Sequence, residues 1–150
     1  MSTKPELALI AAESADGYHV ERQIGFVLRK ATQRHVSIFA KHIADLTPPQ
    51  FAALSKLGEV GEISQNQLGV LVAMDAATIK GVIDRLHGRG LVELGKHAGD
   101  KRRLMVQLTD TGRALVSGLT PLAEKITAET LRPLSPRDAA TLIRLLNRIA

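Results

Sequence analysis

From Glu21 to Leu46 apolar residues recur at three- and four-residue steps: Ile24, Val27, Leu28, Ala31, Ile38, Phe39, Ile43 and Leu46. That spacing predicts one long amphipathic helix. Thr47-Pro48-Pro49-Gln50 then supplies a capping hydroxyl, a proline at the first helical position and a glutamine three residues after the cap. The helix it opens carries Phe51, Leu54 and Leu57 and should stop near Gly58–Gly61. Ser64-Gln65-Asn66-Gln67 repeats the capping-box pattern and starts a short helix with Leu68, Leu71 and Val72, and Asp75 caps another through Ile79, Val82, Ile83 and Leu86. After Gly88–Gly90 the period changes. Leu91–Leu94 and Leu104–Leu108 are short β-like runs around a polar loop, which predicts a hairpin. Thr109 or Asp110 caps a helix bearing Ala114, Leu115, Leu119, Leu122 and Ile126, in which Pro121 predicts a kink or a break. Ser135-Pro136-Arg137-Asp138 opens a last helix expected to bury Leu142, Ile143, Leu145, Leu146 and Ile149. Residues 1–18 show no clear period and read as an arm or a short initial helix.

At 150 residues, 45% hydrophobic and 23% charged, the composition is that of one compact domain rather than a disordered chain. No apolar run nears the roughly 18 residues that span a bilayer. The start, Met1 to Glu6, lacks a basic segment leading into a long apolar one, so the expectation is a cytoplasmic protein without a membrane partner. Cysteine is absent, which excludes disulfides, thiol catalysis and cysteine-based oxidant sensing. Paired acids, a glycine-rich phosphate loop, a nucleophile elbow and a Ser/His/Asp set are all missing, so the sequence supports neither an enzyme nor a cofactor. His35 and His42 lie seven apart, but without a third ligand at useful spacing they do not make a metal site.

Charge alters the picture by its location. Seven of the basic residues (Lys80, Arg85, Arg89, Lys96, Lys101, Arg102, Arg103) and only three acidic ones (Asp84, Glu93, Asp100) fall between Lys80 and Arg103, a stretch holding most of the formal +5. Such a cluster is ordinarily a solvated face. Here it coincides with two short helices joined by the tight turn Val72-Ala73-Met74-Asp75 and followed by a hairpin, the order of a winged helix-turn-helix. The second helix of such a pair lies in the major groove of B-DNA, and a wing can reach phosphate or the minor groove. That geometry puts Ala77, Thr78, Lys80, Gly81 and Asp84 on the exposed side of the recognition helix. A mid-helix glycine costs about 1 kcal/mol relative to alanine, so Gly81 suggests close approach of a partner. With aromatics at only 3%, a base-stacking platform for single strands lacks its material.

The run Asp84-Arg85-Leu86, then Gly90-Leu91-Val92, Asp100-Lys101-Arg102, Leu108-Thr109 and Gly112-Arg113 resembles the MarR family of bacterial transcriptional regulators. The resemblance extends over roughly Glu21 to Ala150. It implies a mainly α fold with a small β-hairpin wing: one domain over 1–150, with 47–109 as the DNA-binding lobe and 19–46 and 110–150 as flanking dimerisation helices. It also implies a homodimer that represses transcription on a pseudo-palindromic operator. By position, Arg102 is the wing arginine entering the minor groove and Asp100 the carboxylate that aims it. Arg85 binds phosphate or braces the wing, Thr78 and Lys80 read the major groove, and Lys101 and Arg103 add cationic contacts. The small Ala76, Ala77 and Gly81 favour thymine-methyl contacts and DNA shape for part of the specificity. A winged-helix module for protein contact or architectural DNA binding, with no effector, is the alternative.

Leu28 to Phe39 places His35 in an apolar stripe with Arg34 beside it. A histidine there is either a hydrogen-bonded core or interface residue, or the polar end of an effector pocket walled by Phe39 and Phe51. The segment resembles those of MarR-type regulators of aromatic-compound catabolism, which implies an aromatic acid or aromatic acyl-CoA as effector.

Overall fold

The computed structural model describes residues 17–150, so most of the expected N-terminal arm lies outside the described residues. Two compact units make up the chain, Met1–His35 and Val36–Ala150, with the boundary inside a helix. In the first unit a 3-10 turn, Val20–Arg22, precedes that helix, α1 (Ile24–His42). Ile24, Val27 and Leu28, expected on a buried stripe, are exposed.

The second unit holds the end of α1, then α2 (Pro48–Val60), β1 (Ile63–Ser64), α3 (Gln65–Leu71), α4 (Ala76–Gly88), β2 (Val92–Lys96), β3 (Leu104–Leu108), α5 (Asp110–Leu131) and α6 (Pro136–Ile149). The first helix stops at His42, four residues short of the apolar pattern's end. Ile43 and Leu46 remain buried, but they reach the core from an extended connection. Thr47 precedes a proline and is held in the β region, and the Asp45 carbonyl accepts from Arg89 Nη1 at 2.6 Å instead of continuing a helix. Arg89 therefore fastens this connection to the end of α4.

At α2 the capping box is complete: Thr47 Oγ1 accepts from Gln50 N–H at 3.3 Å, and Gln50 Oε1 accepts from Thr47 N–H at 3.1 Å. At α3 the outcome differs. Ser64 Oγ accepts from Gln67 N–H, but Gln67 Oε1 takes the Ser64 hydroxyl and the Arg103 guanidinium. The hairpin pairs Val92 with Leu108 through Lys96 with Leu104. An unexpected third strand joins it, since β1 pairs antiparallel with β3 (Ile63 with Val106, Ser64 with Met105) and gives the order β1-β3-β2.

Leu54, Leu57, Leu68, Ile79, Ile83, Leu86, Val92 and Val106 form the fully buried centre where α2, α3, α4 and the sheet meet. Helix α5 runs unbroken through Pro121. Leu115, Val116 and Leu119 before the proline, and Leu122 and Ile126 after it, pack on the same core, and contacts on both sides offset the missing backbone bond. The last helix departs furthest from expectation. Leu142, Ile143, Leu145 and Ile149 are exposed and Leu146 is half-buried, because no element among the described residues covers this apolar face.

Candidate nucleic-acid interface

Helices α3 and α4 meet through a turn held by its own backbone hydrogen bonds. Met74 N–H donates to the Gly69 carbonyl at 2.8 Å and Ala73 N–H to Val70 at 3.3 Å, with Ala73 at φ 57°. Gly69 allows the close crossing: a Cβ there would lie 3.1 Å from Ile79 Cγ2 and from the Met74 carbonyl. Asp75 Oδ1 then accepts from Thr78 N–H at 2.7 Å and starts α4. The Thr78 backbone N–H, with help from its side chain, holds the Asp75 carboxyl below the usual aspartate range.

The stripe Ile79, Val82, Ile83, Leu86 fixes the rotation of α4 by burying one side. Ala77, Thr78, Lys80, Asp84 and Arg85 are exposed as expected, and Gly81 is half-buried with open space where a Cβ would stand. Nothing among the described residues therefore explains a glycine at 81. Lys80 Nζ meets Asp84 Oδ2 at 2.7 Å, one helical turn away. A phosphate or base contact by Lys80 would exchange that carboxylate for the nucleic acid.

The wing tip is built by its own polar groups. Arg103 N–H donates to the Asp100 carbonyl at 3.0 Å, and His97 N–H to the Arg103 carbonyl at 3.1 Å. His97 Nδ1 accepts from both Gly99 N–H and Asp100 N–H, at 3.0 and 3.1 Å. Sequence reasoning passed over His97; the available signal was a hydrogen-bonding ring two residues before a Gly-Asp turn. Asp100 Oδ1 accepts from Arg102 N–H at 3.0 Å and lies 3.4 Å from Arg102 Nε, while the Arg102 side chain is 94% exposed. The carboxylate thus steers the base of a cation whose head is in solvent. Lys101 is exposed beside it, and Arg103 turns back toward α3.

What holds the wing to the lobe is a backbone clamp. Thr109 Oγ1 donates to the Gly90 carbonyl at 2.7 Å and accepts from Gly112 N–H at 3.0 Å, while Thr109 N–H donates to Leu91 at 3.1 Å. Gly90 takes φ 71° to turn α4 into β2. The Gly90-Leu91, Leu108-Thr109 and Gly112 pattern is thus structural, and it places the Asp100–Arg102 pair.

The expected effector residues fall on α1 and α2. Phe39 and Phe51 pack edge to face with centroids 6.1 Å apart in the second unit, whereas Arg34 and His35 belong to the first. Phe51 also lines a cleft of about 780 Å³ between α2 and α5, with Leu108 and Val116 as apolar wall, the hydroxyls of Ser55, Ser117 and Thr120, and the charged Glu59, Arg113 and Glu124. Among the described residues no helix is long and apolar enough to cross a membrane.

Comparison with known proteins agrees with this geometry. Residues 44–103 match the MarR family. The chain is 38% identical over 134 residues to the HTH-type transcriptional repressor NicR of Pseudomonas putida, an alignment covering 88% of this chain and 85% of that protein. A probable transcriptional regulator from Pseudomonas aeruginosa, known as a crystal structure, is 49% identical with a TM-score of 0.83, over 88% of this chain and 100% of that one. BpsR of Bordetella bronchiseptica, whose DNA binding is regulated by 6-hydroxynicotinic acid, is 39% identical with a TM-score of 0.85, over 89% and 96% of the two chains. A winged helix-turn-helix with this wing, in a chain this close to these regulators, is no enzyme: the protein belongs to the MarR family of DNA-binding transcriptional regulators.

Proposed function

We propose that the chain acts as a homodimeric repressor, with residues 47–109 as the DNA-binding lobe and residues 19–46 and 110–150 as the helices that pair two copies. One observation carries the DNA reading: Asp100 fixes the base of Arg102 while leaving its guanidinium 94% exposed at the tip of a clamped wing. A cation so held loses little freedom on entering a narrow, negative minor groove. Ala77, Thr78, Lys80, Gly81 and Arg85 face the major groove and its flanking phosphates, with Lys101 and Arg103 adding backbone contacts. The uncovered faces of α6 and of the start of α1 supply apolar surface for the second copy. Two lobes in a symmetric pair reach half-sites about one helical turn, roughly 34–36 Å, apart.

The effector is an aromatic acid of the 6-hydroxynicotinic type. This rests on the likeness to BpsR and to the repressor NicR, and on the cleft between α2 and α5. Phe51 and Val116 offer the ring an apolar wall, and Arg113 offers the carboxylate a cation. Bound acid lowers DNA affinity only insofar as it prefers a lobe spacing that does not fit the operator.

Fluorescence anisotropy on the duplex upstream of the protein's own gene tests this. Arg102→Ala should weaken binding by about 1–3 kcal/mol with the fold retained. Adding 6-hydroxynicotinic acid should weaken wild-type binding, and less so in Phe51→Ala. Undiminished affinity in Arg102→Ala sinks the wing assignment, and indifference to aromatic acids sinks the effector.

A further inference from the structure

The second wing arginine is held differently from the first. Arg103 Nη2 donates to Gln67 Oε1 at 3.1 Å, which links β3's approach to the first helix of the helix-turn-helix. The same oxygen accepts from the Ser64 hydroxyl at 3.0 Å, and Ser64 Oγ accepts from Gln67 N–H at 3.2 Å. Ser64 is 4% exposed and paired in the sheet with Met105, so the guanidinium is fastened through Gln67 to the core of the lobe. The nature of the partner matters. Lys80, Arg102 and Arg113 each face a carboxylate (Asp84, Asp100 and Asp110), whereas Arg103 faces a neutral amide and, among the described residues, no carboxylate within ion-pair distance. Beside it lies a notch of about 380 Å³ lined by residues 64–67 and 102–104, none of them acidic. One N–H of Arg103 is engaged by Gln67, and the remaining donors of its fork are of the kind that pair with a phosphate's oxygens.

We propose that this notch takes a backbone phosphodiester of duplex DNA, with Arg103 as its ligand and Gln67 as the positioning residue that presets the guanidinium. This rests on the DNA reading above and divides the wing's work: Arg102 enters the groove, and Arg103 grips the strand beside it. Orienting Arg103 before binding removes part of the rotamer cost of the contact. Because a phosphate contact carries no sequence information, its effect should appear on any duplex and in the salt dependence.

The test is anisotropy with the full chain and a mixed-sequence duplex of about 30 base pairs, long enough for two half-sites, over a range of salt concentrations. Arg103→Gln should weaken binding about tenfold and make the slope of log affinity against log salt shallower by about 1. Gln67→Glu keeps the acceptor but sets a carboxylate on Arg103, and should reproduce both changes. Gln67→Ala should weaken binding about threefold alone and not at all in the Arg103→Gln background. An unchanged slope in Arg103→Gln overturns the proposal, as does a Gln67→Ala loss that persists when Arg103 is absent. If wild type ignores the duplex, or Arg102→Ala binds as wild type does, the DNA reading itself has failed. If those two behave as expected while the Arg103 and Gln67 variants bind like wild type, only the phosphate notch is lost.

Discussion

Gly112 and Gly81 both sit inside helices, where glycine is costly, yet their surroundings are opposite. A Cβ at Gly112 would run into the Leu91 carbonyl oxygen, which is already fixed by the Thr109 N–H and has no room to retreat. Gly112→Ala should therefore destabilise the lobe by about 1–3 kcal/mol or more, since the obstacle is backbone and not a flexible side chain. At Gly81 nothing lies within 4 Å of an added Cβ. Gly81→Ala should raise stability by about 0.5–1 kcal/mol, because alanine loses less backbone entropy in a helix. If DNA approaches that backbone, the same change weakens binding several-fold. Chemical denaturation and anisotropy on one set of proteins separate the two effects. A variant that is more stable and binds undiminished removes Gly81 from the interface. His97 shows the same economy at the wing tip, where one ring nitrogen organises two backbone N–H groups that no strand can use.

Between elements, α1 and α5 meet through a polar contact in which His42 Nε2 lies 2.7 Å from Glu129 Oε2 and Lys41 Nζ lies 3.5 Å from Oε1. The His42 hydrogen bond, followed by the attraction of Lys41, holds the Glu129 carboxyl below the usual glutamate range against the opposing effect of its partial burial. A carboxylate with a depressed pKa contributes stability that is full above its unfolded value, near ~4.3, and is lost as pH falls through the lower folded value. Wild type and Glu129→Gln should thus differ most in melting temperature near neutrality and converge as pH falls through the lowered folded value. Parallel melting curves across that range would show that the contact contributes nothing. The elements themselves were legible where their determinants are local. Thr47, Ser64, Asp75 and Ser135 each cap the helix that the sequence assigned to them, and of Thr109 and Asp110 it is Thr109 that caps α5. The failures have non-local causes. The two-residue β1 exists only by pairing with β3 some forty residues later, and α1 ends early because Arg89, 44 residues on, takes the Asp45 carbonyl. In the site, the Asp100–Arg102 pair is two residues apart and could be read from sequence, whereas the Gln67–Arg103 bond spans 36 and could not.

For the molecule as a whole, periodicity established that α6 has an apolar face but carried no information on what covers it. In the single chain Leu142, Ile143 and Leu145 are 38 to 46% exposed and Ile149 67%, on a helix that Ser135 and Pro136 start firmly. A face of this kind burying itself against a second copy releases apolar area at about 25 cal/mol per Å². In an isologous contact every such residue counts twice. Pairing also changes the DNA problem. Once one lobe has bound, the other meets its half-site at an effective concentration set by the dimer, so avidity can exceed single-lobe affinity by about 10²–10⁴-fold. Leu145→Asp combined with Ile149→Asp should therefore convert a dimer into a monomer by sedimentation. Affinity for a two-half-site duplex should then fall about a hundredfold or more, while affinity for a single half-site stays near that of wild type. The second measurement separates loss of pairing from loss of fold, because a misfolded lobe would lose both. A wild-type chain that sediments as a monomer would instead leave the apolar face of α6 to some other partner, and each lobe would have to find its operator alone.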